Sequence, residues 1–395
     1  MRDVSSVVVT GPLSPVDVAD LLDPSHRRIA LCIPGYRGIP TSELVRALVA
    51  AGVAVEVVTN AEEVDSNLEL TGPGLRLLVA PRRPRPRDRA LDLFRAERRS
   101  ITHLLCSAES PLVHAHWTYE FAWAAQSTRK PVLVTAHDAP LTILRETRDA
   151  YRAIRYAMAV IVRSRLTDLV AVSPYLATRW RREMLYRRQI DVIPNFVPHF
   201  TGPYDRPRRD DETLLVIAAA GPMKNVSVAL EATAELRRRG RPARIVLVGP
   251  GLDEGEPLAA AWQARNSERW AEFRGPLDRA SIAQLLSSAA VLVHPSREES
   301  FGLSVVEAMN VGLPVVAGSS SGAVPWLLDH GKAGVLVDVT RASDVADGIA
   351  RLLSDSGLAA SIAAAARDRV STTFSSDSIV DAYLSRYALL RKGTS

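Results

Sequence analysis

The stretch "AAVLVHPSREESFGLSVVEAMNVGLPVVAG" (289–318) contains one complete unit of secondary structure. Its apolar start predicts a buried strand, and "LSVVEAMNVG" predicts a helix that leads into a second strand, "LPVVAG". Two glutamates eight positions apart, Glu299 and Glu307, flank the turn at Phe301 and Gly302 where the chain enters the helix. The stretch therefore predicts a strand–loop–helix–strand unit that carries acidic side chains beyond its first strand.

The same alternation of strand and helix recurs in both halves of the chain. Further strand candidates in the first half begin with "RIALCIPG" (28–35), and a polar, proline-rich segment at 198–212 predicts a linker before the alternation restarts. Near-continuous runs of Val, Ile and Leu are typical of parallel strands buried on both faces by helices. The sequence therefore predicts an α/β protein with two Rossmann-like parallel-sheet domains facing a central cleft.

Composition indicates a soluble globular protein, because 47% of the residues are hydrophobic and 24% are charged. No apolar run reaches the roughly 20 residues that a bilayer requires, and acidic residues interrupt the N-terminal segment where a signal peptide needs an apolar core. Cys32 and Cys106 are not in a metal-binding spacing, and we expect them to be buried, reduced thiols. These features predict a cytoplasmic protein.

The basic character of the chain is concentrated in one segment. The sequence pI is about 9.4, but much of the excess comes from "PRRPRPRDRALDLFRAERRS" (81–100). We expect this run to be a solvated loop, with contact to anionic lipid as the next alternative and nucleic acid last. No nucleic-acid partner is therefore predicted, and a weak contact of 82–99 with a membrane surface stays open.

Candidate binding residues lie just after strands, because open parallel sheets bind ligands beyond the carboxyl ends of their strands. The helix that follows Gly302 has free N-terminal amides, which favour an anion such as phosphate. Lys224 lies near Gly221 at the start of another helix and is a suitable counter-charge for a diphosphate. Only four of the 49 basic residues are lysines, which makes this position notable. The alternatives are an acidic helix start and an ordinary exposed lysine.

Two positions in the first half meet the same criterion less specifically. His137 in "TAHD" follows a predicted parallel strand, although a lone histidine is more often structural. Gly38 belongs to a glycine-bearing turn, "PGYRGIP", of a kind that ends many strands. The motif "HAHW" favours packing, with Trp117 filling the upper core of the domain.

The order of these motifs resembles that of the family 4 glycosyltransferases, which have the GT-B fold. The resemblance extends from about residue 28 to 390 and is most specific at the E-x7-E element from Glu299 to Glu307. It implies a retaining enzyme that moves a hexose-type sugar from a nucleoside-diphosphate-sugar donor to a hydroxyl acceptor, which we expect to be a small soluble or secondary-metabolite molecule. The acceptor domain would be 1–203, with 1–27 unassigned, the donor domain 204–374, and 375–395 a helix that packs back on the first domain.

The resemblance also assigns roles to residues. Glu307 would hold the ribose hydroxyls and Glu299 the hydroxyls of the transferred sugar, while Lys224 would balance charge on the leaving diphosphate and His137 would contact the donor sugar. No D-x-D motif is present, so neither a metal nor a cofactor is expected. The other expected donor contacts come from backbone amides, close backbone approach or charge, at Phe301, Gly302, Leu303, Gly38, Gly221 and Arg297.

Two departures from the family pattern leave alternatives open. Ala219 lies near the place where most relatives have an arginine, so that Arg37 or Arg297 would have to supply the missing charge, and Trp326 replaces a glutamate common in relatives. The alternatives are a glycosyltransferase of cell-envelope polysaccharide or glycolipid acting at the membrane surface, a catalytically silent GT-B subunit that binds nucleotide-sugar, and a nucleotide-sugar epimerase.

Overall fold

The computed structural model describes residues 4–197, 212–266 and 268–392. They form two compact units. The first extends to Phe196 and resumes at Ser376, and the second spans Val197–Ser375. The predicted linker at 198–212 and the predicted boundary after residue 203 lie outside the described residues, apart from Glu212.

The first unit contains an eight-stranded sheet in the order β3-β4-β2-β1-β5-β6-β7-β8. All neighbouring strands are parallel except β3 and β4, which pair antiparallel. The order reverses between β1 and β5, which is the switch point where such sheets bind ligands. The strands are β1 (Ser6–Thr10), β2 (Ala54–Ala61), β3 (Leu68–Gly72), β4 (Leu75–Pro81), β5 (Val113–His116), β6 (Val132–Ala136), β7 (Asp168–Ala171) and β8 (Ile190–Val192).

The second unit contains a six-stranded, wholly parallel sheet in the order β11-β10-β9-β12-β13-β14. Its switch point lies between β9 and β12. The predicted α/β architecture of two parallel-sheet domains is therefore confirmed. The strands are β9 (Thr213–Ile217), β10 (Arg244–Val248), β11 (Ala271–Phe273), β12 (Val291–His294), β13 (Val315–Gly318) and β14 (Val335–Val337).

Helices follow most strands and cover both sheets. Two short 3₁₀ helices, Pro15–Leu21 and Asp329–Gly331, accompany them. The α-helices are α1 (Pro24–Ala30), α2 (Ile39–Ala50), α3 (Pro86–Leu91), α4 (Arg95–Ser107), α5 (Glu120–Ala125), α6 (Pro140–Thr147), α7 (Ala150–Ser164), α8 (Pro174–Glu183), α9 (Val226–Arg238), α10 (Pro257–Gln263), α11 (Arg279–Ser288), α12 (Leu303–Asn310), α13 (Val324–Leu327), α14 (Ala342–Ser354), α15 (Ser356–Thr373) and α16 (Ser376–Lys392).

The first strand of the chain is not the predicted one. The segment 28–35 was expected to be a strand, but its first part belongs to α1, where Pro24 occupies the first turn and Ile29 is exposed. The central strand is instead β1, whose three valines are fully buried and which pairs with β2 and β5. The first 27 residues, to which the sequence assigned no role, therefore supply the strand beside the switch point.

The last helix, α16, belongs to the first unit. Tyr383 and Tyr387 on this helix are buried in the core of that unit, and the helix contacts α2 and β6. The second unit has its own core, formed by β9, β10 and the helices that cover them. Each unit therefore holds its switch point on an independent hydrophobic core.

The arginine-rich segment is not the solvated loop that we expected, because it forms α3 and the start of α4. Arg83 binds the buried Glu97 at 2.7 Å, and the buried Arg89 binds Glu62 at 3.0 Å. Arg98 stacks on Trp123 with its guanidinium carbon 3.7 Å from the ring centroid. Several of these positive charges are therefore neutralised within the fold.

Two smaller expectations can also be compared with the structure. Cys32 and Cys106 are both exposed, contrary to the expectation of buried thiols, because Cys32 follows the exposed end of α1 and Cys106 lies on the outer face of α4. Within the described ranges, no single helix is long and apolar enough to cross a membrane, although α14 passes the length and composition test together with 356–392, across a bend of 99°.

Candidate active site

The switch point of the second unit brings together the loops that follow β9 and β12. Lys224 lies in the first loop and Glu299 in the second, 75 positions later. The Lys224 ammonium Nζ lies 2.5 Å from Glu299 Oε1, so that the two predicted catalytic side chains form an ion pair. The Glu299 side chain is 11% exposed and the Lys224 side chain 31%, which leaves the ammonium the more accessible partner.

The loop that carries Lys224 is fixed by contacts to its neighbours. Asn225 adopts a left-handed conformation just before α9, and its side-chain amide donates to the carbonyls of Pro295 and Val339. The Arg297 backbone N–H donates to the Met223 carbonyl at 2.8 Å. These bonds tie the loop after β9 to the loop after β12 and hold the register in which lysine meets glutamate.

The backbone of Glu299 rests on the turn before α13. Its carbonyl accepts a hydrogen bond from the Ala323 N–H at 2.9 Å. Gly322, in the left-handed region at φ +59°, lies so close that a Cβ would be 2.2 Å from the same carbonyl oxygen. Glycine is required there both by conformation and by space.

The charge state of Glu299 follows from its surroundings. Burial alone would raise the pKa of this carboxyl, but the positive charge of Lys224 and a hydrogen bond from His294 outweigh it and hold the pKa well below the usual range. His294 Nε2 lies 3.2 Å from Glu299 Oε1, and its Nδ1 lies 3.3 Å from the Ser304 hydroxyl. Glu299 is therefore an ionised hydrogen-bond acceptor at neutral pH and not a proton donor.

His294 was missed by the sequence argument. It is the last residue of β12, so the rule that pointed to His137 after β6 also applied to it. Its side chain is almost fully buried and lies against the Glu299 carboxylate. The position of His294 at the end of a predicted strand was visible in the sequence, but we interpreted the residue as part of the strand.

The N-terminus of α12 forms the third side of this site. Gly302 caps the helix in the left-handed region at φ +103°, and Leu303 begins it. The Phe301 ring is buried against Trp326 and Phe374 at centroid distances of 6.4 and 6.0 Å, so only its backbone is left to contact a ligand. Trp326, where the family resemblance led us to expect a glutamate, therefore packs against this turn.

The remaining predicted residues of the second unit differ in exposure. Glu307 is buried on α12, whereas the Arg297 side chain is exposed next to the Glu299 loop. Gly221 starts the Lys224 turn, and a Cβ there would meet no atom within 4 Å. Ala219 lies in the same loop, so Arg297 is the candidate for the charge that an arginine near position 219 would have supplied.

In the first unit, the switch point brings together the ends of β1, β5 and β6. Gly38 caps α2 and lies so close to the β1 loop that a Cβ would be 1.9 Å from the Pro12 carbonyl oxygen. His137 follows β6, and its Nε2 lies 2.8 Å from Nδ1 of His116 at the end of β5. Gly38 and His137 therefore do lie at the carboxyl edge of this sheet.

The histidines of this edge are neutral, with His114 and His116 buried and His137 partly buried. Burial lowers the pKa of His137 to about 3, and burial together with the nearby His137 lowers that of His114 to about 3. Burial, with His114 and His137 nearby, holds the pKa of His116 well below its usual value. The packing expected for "HAHW" is present in His114 and His116, which are buried, but both side chains also make hydrogen bonds.

Charged and aromatic groups lie next to His137. The buried Arg155 binds Glu120 at 2.6 Å and stacks on Tyr119, with its guanidinium carbon 3.6 Å from the ring centroid. Tyr119 in turn donates to Asp138 at 2.9 Å, and burial raises the pKa of Asp138. Trp117 was expected to fill the upper core, but it is only partly buried and has a left-handed backbone (φ 67°).

A metal site is not evident in the part of the chain that the structure describes, since no group of three His, Cys, Asp or Glu side chains there could hold an ion. Carboxylate, ammonium and helix N-terminus are together suited to bind a polyol and an anion.

Comparisons with known proteins identify the family of both halves of the chain. The model of Glycosyltransferase Family 4 matches residues 41–199, and that of Glycosyl transferases group 1 matches residues 205–369. The chain is 25% identical to N-acetyl-alpha-D-glucosaminyl L-malate synthase of Bacillus anthracis, over 70% of this chain and 74% of the relative. It is 32% identical to phosphatidyl-myo-inositol mannosyltransferase of Mycolicibacterium smegmatis, over 62% of each.

A solved structure extends the comparison to the fold of nearly the whole chain. Sucrose-phosphate synthase from Thermosynechococcus elongatus superimposes with a TM-score of 0.78 at 22% identity, covering 98% of this chain and 100% of that one. Together with the two family models, these matches show that the chain belongs to the family 4 glycosyltransferases and is a glycosyltransferase of the GT-B fold.

Proposed function

We propose that this glycosyltransferase moves a hexose-type sugar from a nucleoside-diphosphate-sugar to a hydroxyl group of a small soluble acceptor, with retention of configuration and without a metal ion. Related glycosyltransferases use sugar-nucleotide donors. The observation that carries the proposal is the Lys224–Glu299 pair at the switch point of the second unit. An ionised carboxylate and an accessible ammonium there match a ligand that has hydroxyls at one end and a diphosphate beside them.

The donor would be held by the second unit. Glu307 would accept hydrogen bonds from the ribose hydroxyls and Glu299 from the hydroxyls of the transferred sugar. Lys224 would turn from Glu299 towards the diphosphate, with Arg297 as a second positive charge. The backbone around Phe301, Gly302 and Leu303 would approach the sugar and the phosphates, and Gly221 would leave room for them.

The first unit would supply the contact with the reacting sugar. His137 is neutral and would make a hydrogen bond to the donor sugar, and Gly38 would let the backbone come close to the phosphates. The acceptor would bind on this unit as well. We expect the acceptor close to Asp138 and Tyr119, the polar side chains next to His137.

The transfer step needs no enzyme nucleophile under this proposal. The acceptor hydroxyl oxygen forms a bond to the anomeric carbon on the same face from which the phosphate oxygen leaves. The proton of that hydroxyl passes to the departing phosphate oxygen, and the nucleoside diphosphate is released. Lys224 stabilises the negative charge that grows on the diphosphate. The depressed pKa of Glu299 supports this scheme, because an ionised Glu299 binds hydroxyls without donating a proton.

A soluble acceptor is favoured over a membrane-bound one by the arginine-rich segment. Arg83, Arg89 and Arg98 are engaged by carboxylates or by an aromatic ring. The name of the Bacillus anthracis relative contains L-malate, a small hydroxy acid, whereas that of the Mycolicibacterium smegmatis relative contains a phospholipid. The side chains still available to a membrane, which we call the four exposed arginines, are Arg85, Arg87, Arg95 and Arg99.

The proposal is tested with purified protein and a panel of nucleoside-diphosphate hexoses. Thermal shift identifies the donor, and mass spectrometry of reactions with candidate acceptors, in the presence of EDTA, identifies a product heavier by one hexosyl group. The anomeric proton coupling in its NMR spectrum reports the configuration. Donor binding without either transfer or hydrolysis would favour the silent subunit, epimerised donor formed without an acceptor would favour the epimerase, and activity lost in EDTA and restored by Mg²⁺ would refute the metal-free scheme.

A further inference from the structure

His116 and His137 form a pair of neutral histidines in which the position of one proton decides what His137 can do. Nδ1 of His116 and Nε2 of His137 are 2.8 Å apart, and the two rings are stacked with centroids 5.0 Å apart. Each neutral imidazole has one N–H donor and one bare acceptor nitrogen. One of the two facing nitrogens must therefore carry the proton and the other must accept it.

The other nitrogen of His116 distinguishes the two arrangements. His116 Nε2 is buried, and no hydrogen-bond partner for it lies among the described residues. If His137 donated from Nε2, the proton of His116 would be on this buried Nε2, which would be an orphaned N–H group of a kind that is rare in folded proteins. If His116 donates from Nδ1, its buried Nε2 carries only a lone pair, and the proton of His137 is on Nδ1 of His137.

The ring of His116 is held in place from several sides. A Cβ at Gly11, at the end of β1, would be 2.7 Å from His116 Cβ, so that this turn lies directly against it. The His114 ring packs against it at a centroid distance of 4.4 Å. His114 is itself bonded to the Thr135 hydroxyl at 2.8 Å and to the Tyr387 hydroxyl of α16 at 2.7 Å. These contacts therefore hold the His116 ring in the position from which Nδ1 faces His137.

We propose that His116 is a positioning residue that keeps the proton of His137 on Nδ1, so that His137 presents an N–H donor to its ligand. The identity of that ligand as the donor sugar rests on the proposed function, but the tautomer does not. The ligand atom that His137 recognises would then be a hydrogen-bond acceptor such as a hydroxyl oxygen. If His137 Nδ1 were bare instead, it would bind a hydrogen-bond donor of the ligand. A histidine chosen only for packing would have no such directional requirement.

The test is the ¹⁵N NMR spectrum of the full-length protein, labelled at histidine and recorded near neutral pH, where protonated and bare ring nitrogens resonate far apart. His137 is assigned by the signal that disappears in His137→Gln. We expect its Nδ1 to be protonated and its Nε2 bare. A spectrum of the parent protein with the proton on Nε2 would overturn the proposal, and this measurement requires no variant of His116.

Two variants of His116 separate positioning from packing. His116→Asn keeps an N–H donor at the place of Nδ1 and should leave the His137 tautomer unchanged. His116→Phe keeps the flat ring but removes the donor, and should shift His137 towards Nε2–H, the tautomer that free histidine prefers. The exposed His103, changed to Asn, is the matched control. An unchanged His137 spectrum in folded His116→Phe would contradict the role of His116.

Kinetics provide a second and separate measurement. His116→Phe should lower turnover about tenfold, the size of one hydrogen bond, while His116→Asn keeps most of it. If the NMR result holds but no nucleotide-sugar is turned over by the parent, the proposed function fails and the positioning role stands. If turnover is present but the tautomer is the other one, the positioning role fails alone.

Discussion

Replacing Lys224 by methionine tests the central contact of the second unit. Methionine keeps much of the apolar stem but removes the ammonium group that lies 2.5 Å from Glu299 Oε1. The carboxylate, only 11% exposed, would then be left with His294 as its remaining close partner. The variant therefore leaves a buried negative charge without its main counter-charge.

The size of the effect follows from how far each partner is exposed. Removing one member of a fully buried pair costs about 3–5 kcal/mol, and removing one from an exposed pair costs about 0–1 kcal/mol. Since Glu299 is buried and Lys224 is about one third exposed, we expect Lys224→Met to lower the free energy of unfolding by about 2 kcal/mol near pH 7. The matched control is Lys332→Met, whose partner Asp329 is 3.0 Å away and whose side chain is 78% exposed, with an expected loss below about 0.5 kcal/mol.

The effect should depend on pH with a definite sign. In the parent, the pKa of Glu299 is depressed in the folded state, so its contribution is fully present above the unfolded pKa of about 4.3 and is lost as the pH falls through the folded value. The variant lacks most of that depression. The difference in unfolding free energy between parent and variant should therefore be largest near neutral pH and shrink as the pH falls below the unfolded pKa of about 4.3 towards the depressed folded value.

Urea titrations of the parent and of both lysine variants, followed by fluorescence at about pH 7 and about pH 3, measure this difference. An equal loss at the two pH values would refute the reasoning, because the Glu299 charge would then not be its source. In the proposed reaction, turnover should fall about 100-fold and nucleotide-sugar affinity by less, since charge on the leaving diphosphate grows in the transition state. An equal loss of both would make Lys224 a simple anchor.

Four other outcomes can be measured with the same protein. Glu307→Gln should weaken nucleotide-sugar binding by about 1.5–3 kcal/mol in calorimetry, and unchanged affinity for the donor that binds the parent would exclude the ribose contact. Gly38→Ala should lower the free energy of unfolding by about 1–3 kcal/mol in urea titrations, because its Cβ would lie 1.9 Å from a carbonyl oxygen, whereas Gly255→Ala, with no atom within 4 Å of its Cβ, should change it by less than about 0.5 kcal/mol. Sedimentation with anionic vesicles at low salt should leave the protein in the supernatant; salt-sensitive pelleting that is lost when the four exposed arginines become glutamine would favour a membrane-bound acceptor. The pKa of His137 is lowered to about 3, so the pH profile of turnover between about pH 5 and 8 should be the same in the parent and in His137→Gln. A titration step in the parent that is absent from His137→Gln would show that His137 is protonated near neutrality.

The second unit was the part most accessible from the sequence. Its strands are continuous apolar runs, each followed by a polar loop, so the rule that ligands bind beyond parallel strands selects the loops of Lys224 and Glu299. The structure brings these residues together because β9 and β12 are neighbours at the switch point. The ion pair between them required the strand order, which the sequence pattern does not contain.

The first unit shows where such patterns are ambiguous. A short apolar run is compatible with a buried strand or with a helix. The segment 28–35 was interpreted as a strand, yet its first part is helical with Ile29 exposed, and the true first strand, Ser6–Thr10, is followed by about thirty residues before the first long helix. The charge pattern of the sequence did not predict which arginines are neutralised, because the partners of Arg83 and Arg89 are set by tertiary packing.

The two switch points differ in the chemistry that they offer, and the difference has a physical cause. In the second unit, Lys224 is partly exposed and Glu299 is kept ionised by it, so that a full positive and a full negative charge are available without an isolated buried ion. In the first unit, His114 and His116 are buried and His137 is partly buried, and burial together with the neighbouring histidines lowers the pKa values of His114 and His116, while burial lowers that of His137. In the proposed reaction, a neutral imidazole at His137 would direct a hydrogen bond to the sugar without competing with Lys224 for charge on the diphosphate. The chain thus places a charged pair at the switch point of one unit and neutral hydrogen-bonding groups at the switch point of the other.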